Sequence, residues 1–188
     1  MKRILLIIAM VLVTSMAFAQ KFGRVSSTEL IQLCPEADQA RATLQAASKE
    51  AQETYTDMTA EYGKKYEAYQ QNAAKWAEST RTSKEKELYD FQQRIQEYSQ
   101  SVQQELQQKE QTLFQPIMEK ATKVISDIAA KAGYVAVFEE GSLPYVDKTQ
   151  CVDITPEARK AMGIKEGRTL ESLAAELQQA QAAPEQAK

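Results

Sequence analysis

Residues 134–155 read YVAVFEEGSLPYVDKTQCVDIT, and they differ from everything before them. Upstream lies a stretch of roughly a hundred residues of Ala, Gln, Glu and Lys at helical spacing. Here β-formers take over. Tyr134, Val135, Val137 and Phe138 mark a strand from Tyr134 to Phe138. Glu139 to Pro144 is a turn cluster containing Gly141. Tyr145-Val146 reads as the return strand of a β-hairpin, and Cys151 to Ile154 as an extension of the sheet. Gly133, just before the stretch, suits a helix end. Thr155-Pro156, at its close, caps a short helix through Met162.

Upstream of Gly133 the apolar residues recur at steps of three and four. One stripe runs from Ala37 through Leu44, Ala51, Tyr55, Met58, Tyr62, Tyr66 and Tyr69 to Trp76. At about 100° per residue it occupies an arc of roughly 80°. That is a coiled-coil seam rather than the broad stripe of a globular helix. Ala77 to Ser83, AESTRTS, breaks it with small polar residues. A second stripe follows, from Leu88 and Phe91 through Ile95, Tyr98, Val102 and Leu106 to Ile128. The spacing predicts an antiparallel helical hairpin over 36–132 with its tip near 77–83. Each arm of roughly 45 residues reaches about 65 Å. Gly63 and Pro116 interrupt it. Gly in a helix interior costs about 1 kcal/mol relative to Ala. Pro breaks the hydrogen-bond ladder. Both are therefore hinge candidates.

The hairpin is flanked by short elements. Phe22 to Val25 is a strand candidate, and Thr28 caps a short apolar helix that stops near Cys34-Pro35; together they make an N-terminal segment over 20–35. At the other end, 133–162 holds the β-hairpin and short helix. Residues 163–188 place Leu170, Leu173 and Leu177 on one helix face, then read as a disordered tail from Ala180.

The first nineteen residues stand apart. Lys2 and Arg3 precede an apolar core from Ile4 to Val13, too short to span a bilayer. Ala17-Phe18-Ala19 is a cleavage site of the A-x-A kind, so 1–19 reads as a secretory signal peptide. Its removal takes Lys plus Arg from 23 to 21 against 26 Asp plus Glu, a net charge of -5. That argues against nucleic acid as a partner. The chain has no His, which removes the usual general base and the commonest metal ligand. No nucleophile motif, phosphate loop, metal-ligand spacing or cofactor motif appears, so the reading is not of an enzyme. Asp147 and Asp153, near Cys151, read as turn residues. In an oxidising compartment Cys34 and Cys151 can pair as a disulfide, or remain two buried thiols.

A two-stranded hairpin is marginal alone in water. A third strand from Phe22 to Val25 still leaves edges open, and a narrow helical seam buries little. Both deficits are met if several chains close their sheets into one body with cyclic symmetry. The expected fold is therefore mainly α. A long antiparallel helical hairpin is joined to a small β body that oligomerises.

At this point a resemblance becomes specific. The mature chain resembles the Skp/OmpH family of periplasmic chaperones along most of its length. KFGRVSSTELIQLCPE is similar to the family's N-terminal strand and short helix. AAKAGYVAVFEEGSLPYVDKTQCVDIT is similar to its end-of-arm, Gly-aromatic strand, turn and closing D-[IV]-T motif. The resemblance implies a homotrimer with a small β-barrel body and helical tentacles around a cavity. Unfolded outer-membrane β-barrel proteins would be held there in the periplasm without nucleotide. Carried over, Phe22, Val25, Tyr134, Val135, Val137, Phe138, Tyr145 and Val146 would build the trimer body. The chain departs from the family in being acidic, with a near-neutral tip and a second arm lined with Gln. This speaks against electrostatic capture and against lipid or lipopolysaccharide contact.

A holdase needs many weak contacts, which Tyr and Trp provide with an apolar body and a polar tip. Trp76 and Tyr89, with Tyr55 and Tyr66, are the client-binding candidates. Tyr62 and Tyr69 read as seam packing, whereas Tyr89 lies about 100° off its stripe. The competing class is a periplasmic coiled-coil adaptor or spacer that binds one folded envelope partner.

Overall fold

The computed structural model describes residues 21–182. The signal-peptide reading of 1–19 falls outside them. The chain divides into two units: Pro35–Glu119, and the segments on either side of it up to Cys34 and from Lys120.

The flanking unit contains a sheet of three strands, β1 (Lys21–Val25), β2 (Tyr134–Glu139) and β3 (Cys151–Asp153), in the order β2-β1-β3. Both outer strands run parallel to β1. Arg24 stands opposite Phe138 on one side and Asp153 on the other. This corrects the β-hairpin expected from sequence. β2 and β3 do not pair with each other, because β1 lies between them. Tyr145-Val146 is not a strand, and Tyr145 is 80% exposed. The reason is local: Pro144 has no N–H to give a ladder, and Gly141 turns the chain at φ 81°. Asp147 then organises the approach to β3. Its carboxylate accepts from the Thr149 N–H at 2.8 Å and hydroxyl at 2.7 Å. These bonds, the hydroxyl first, hold the Asp147 carboxyl below its ordinary range.

Three short helices belong to the same unit. α1 (Ser27–Leu33) is capped by Ser26, whose hydroxyl accepts from Glu29 N–H at 3.3 Å. The Glu139 carboxylate accepts a second orphan donor, Ser27 N–H, at 3.0 Å. Two more helices complete the unit, α4 (Thr155–Ala161) and α5 (Leu170–Ala182), and α1 packs on both. The α5 helix runs past Ala180, where the sequence suggested a disordered tail. Leu30, Leu33, Ile154, Ala158, Met162, Ile164 and Leu173 are buried in this unit. Arg159 fastens it by donating to the Glu29 carboxylate and the Arg168 carbonyl. Cys34 and Cys151 are both buried thiols, so the disulfide alternative is not formed. The Cys34 thiol donates to Ile31 O at 3.5 Å.

The second unit is the helical hairpin. α2 (Pro35–Asn72) starts at Pro35, which follows an extended Cys34 and is preset for a first helical turn. A short 3₁₀ turn, Ala73–Lys75, ends it, and α3 (Glu78–Ala132) returns, its residues from Lys120 onward belonging to the flanking unit. The reversal therefore lies a few residues before the 77–83 read from sequence. Glu78–Ser83 is already helix, with the Glu78 carboxylate in its first turn. Small polar residues ended the apolar stripe without ending the helix. Gly63 and Pro116 sit inside continuous helices. A Cβ added at Gly63 would meet nothing within 4 Å, so crowding does not explain that glycine.

Candidate functional site

The long helices pair in opposite directions. Tyr98 hydroxyl reaches Ala51 O at 3.4 Å, Tyr62 meets Phe91 at 6.3 Å between ring centroids, and Lys65 meets Glu87 at 2.6 Å. As one position rises its partner falls. Small Ala residues set the middle of the seam, where Ala47 and Ala51 face Tyr98, Val102 and Leu106. Side chains this small leave room on both flanks. A cavity of about 160 Å³ opens on one side, and one of about 240 Å³, reaching Tyr55, on the other.

Nearer the reversal the seam turns aromatic and charged. Phe91 is buried, with the Arg94 guanidinium 4.6 Å from its ring centroid and the Lys65 ammonium at 5.9 Å. Tyr62 stacks on Tyr66 at 6.1 Å, and Tyr69 packs against Trp76 at 6.0 Å. Tyr69 also donates its hydroxyl to Glu85, a bond that raises the phenol above its ordinary range. Glu87 bridges Lys65 and Lys84, at 2.6 and 2.7 Å. Its hydrogen bonds to Lys65 and then Lys84 lower its carboxyl to about 2. The same contact raises the Lys65 ammonium. Trp76 lines a cavity of about 140 Å³ with Lys65, Tyr69 and Leu88.

The candidate aromatics thus fall into two groups. Tyr89, Tyr66 and Tyr55 present their rings to solvent, at 61%, 45% and 39% exposure. Tyr89 is steadied by Gln93, whose amide donates to its hydroxyl oxygen at 2.7 Å. Trp76 is half-buried and packs on Tyr69, and Tyr62 and Tyr69 are half-buried within the seam. Sequence reading missed the two cavities at Ala47 and Ala51. The signal was present, in the run of Ala where the opposite helix carries Tyr98, Val102 and Leu106. It also missed the Lys65–Glu87–Lys84 bridge, because periodicity does not pair charges across helices.

Among the described residues no cluster of metal-ligating side chains occurs, and no helix is long and apolar enough to cross a membrane. The hairpin surface offers amphipathic clefts and exposed phenols. Comparison with known proteins agrees with this geometry. A search of curated proteins finds no match. A solved structure of a proposed outer membrane chaperone (OmpH-like) from Caulobacter crescentus CB15 matches with a TM-score of 0.68 at 13% identity. The match covers 76% of this chain and 83% of that one. The profile of the family described as Outer membrane protein (OmpH-like) matches residues 21–162. Through that stretch of strand, paired long helices and closing strands, the chain belongs to the OmpH-like family.

Proposed function

We propose that this protein is a periplasmic holdase. It binds unfolded outer-membrane β-barrel proteins without ATP and keeps them from aggregating before membrane insertion. Family membership supports the chaperone class. The observation that carries the finer reading is the hairpin surface, where Tyr55, Tyr66 and Tyr89 stand exposed beside open clefts rather than around one closed pocket. Such a surface makes many weak contacts that exchange quickly and add up by multivalency.

We further propose that the working form is a homotrimer. β2 and β3 are both edge strands, and Val135 on β2 and Val152 on β3 are 63% and 49% exposed. Open, apolar edges favour pairing with further strands. Val25, Phe22, Val137 and Phe138 support those edges from within each chain, with Phe22 stacked on Phe138 at 6.0 Å.

The test is dilution of a urea-unfolded outer-membrane barrel into buffer with this protein and no ATP. Turbidity is followed against chain ratio. Suppression that saturates near three chains per client is the expected result. No suppression at large excess would overturn the holdase reading in favour of an adaptor with one folded partner. A monomeric mass by light scattering at micromolar concentration would sink the trimer.

A further inference from the structure

The α3 helix carries a second pattern that the seam does not use. Ten glutamines lie between Phe91 and Gln115. At about 100° per residue, all ten fall within an arc of roughly 160°. The seam residues of the same stretch, Phe91, Ile95, Tyr98, Val102 and Leu106, occupy a separate arc of about 80°. Every one of the ten glutamines is exposed. Charge is sparse on their arc, where Glu97 and Glu110 stand near the margins.

Solubility does not require this composition. Elsewhere the exposed helix faces carry ion pairs at i,i+4, such as Lys49–Glu53 at 3.8 Å and Lys123–Asp127 at 2.7 Å. Those pairs keep a helix solvated and add some stability. Glutamine offers something different: an uncharged amide with donors and an acceptor on a flexible stem. The main chain of an extended polypeptide presents the same two groups, N–H and C=O, in alternation. An amide row can meet them in any register and in either direction. It does not select for the sign of a client's charge, and salt does not screen it.

We propose that the glutamine face of α3 holds an unfolded polypeptide by its main chain, as an uncharged hydrogen-bonding surface. This rests on the holdase reading above. One neutral hydrogen bond nets little in water. A row spread over roughly seven helical turns supplies many, each free to exchange. In an acidic chain with a formal net charge of -3, such a surface takes the place of attraction by basic residues.

The test uses the full chain and a variant with Gln96→Ala, Gln100→Ala, Gln103→Ala and Gln107→Ala. Alanine favours helix, so the fold is retained and checked by circular dichroism. A labelled, urea-unfolded outer-membrane barrel is titrated by fluorescence anisotropy at about 50 and about 500 mM NaCl. The expected wild-type affinity changes less than about two-fold between the two salts. The variant is expected to bind about ten-fold more weakly or worse. A variant that binds like the wild type would overturn the proposal. So would a wild-type affinity that falls about ten-fold or more with salt, which points to charge instead. Client affinity retained with a changed mass by light scattering also overturns it, making the face a contact between copies. If the wild type binds no client at all, the holdase reading itself fails first. If the variant loses helicity, the salt response of the wild type still decides.

Discussion

Leu30 in the β-containing unit is fully buried, whereas Leu44 and Leu106 in the helical hairpin are only half-buried. All three stand at regular apolar spacing in amphipathic helices. The difference lies in what covers them. α1 has a sheet strand at its entry and two further helices on its flank. α2 and α3 have mainly each other, so their seam is one side chain deep. The β-containing unit concentrates its stability in a few sealed residues and two bridging arginines, Arg24 and Arg159. The hairpin spreads its stability thinly and keeps apolar and aromatic surface accessible. Under the holdase reading proposed above, that division puts rigidity and exposure in different places.

The comparison breaks most directly at Leu30. Leu30→Ala is expected to cost about 2–5 kcal/mol. Leu106→Ala, already half-solvated, should cost about 1 kcal/mol, in proportion to the smaller apolar area lost. Urea unfolding followed by circular dichroism measures both, and equal costs would refute the contrast. Arg24 comes next. Its guanidinium joins Glu140 to Asp153, at 3.0 Å for the latter, and its side chain is largely covered. Arg24→Ala is expected to cost about 1–3 kcal/mol and to loosen the sheet while the hairpin keeps its helicity. Amide exchange along β1, β2 and β3 reads that directly.

Acid should separate the units in another way. Glu87 is held at about 2 against an ordinary 4.5. Its folded value is depressed, so its contribution is complete above about 4.5 and is lost as pH falls toward about 2. Trp76 is the sole tryptophan and lines the same cavity as Glu87, so its fluorescence reports this region. The expected result is a change in Trp76 emission across that acid window, absent in Glu87→Gln. An identical titration in the variant would remove the bridge from the account. The smallest stability effect is expected at Tyr89. Tyr89→Ala should shift stability by no more than about 0.5 kcal/mol yet weaken client holding in the dilution assay. A loss of helicity would mark Tyr89 as structural instead.

The sequence carried the helices well and the sheet poorly. The two stripes at steps of three and four gave the long helices, and Tyr62 and Tyr69 as seam residues. The strand at Phe22–Val25 was also legible, but its central position was not. The turn-like EGSLPY segment suggested a hairpin because hairpins are the commonest way to join two nearby β runs. The actual partner of the first run was β1, far away along the chain, and the second partner of β1 was Cys151–Asp153 rather than Tyr145-Val146. Exposure was legible at Tyr89, which stands off its stripe and is 61% exposed, but not for residues within a stripe. Tyr66 and Tyr69 belong to one stripe, and only the opposite helix decided which would be covered.

What the residues determined alone is local. Helix periodicity, the Pro35 start and the Gly133 stop depend on neighbours within a turn or two; the cap of α1 lies at Ser26, two residues before the Thr28 read from sequence. Strand order and register depend on groups as far apart as Ser26 and Thr155, 129 residues along the chain. No periodicity links such positions. Only the folded chain shows β1 taking a parallel partner on each side, and only there do the two outer edges become the open ones.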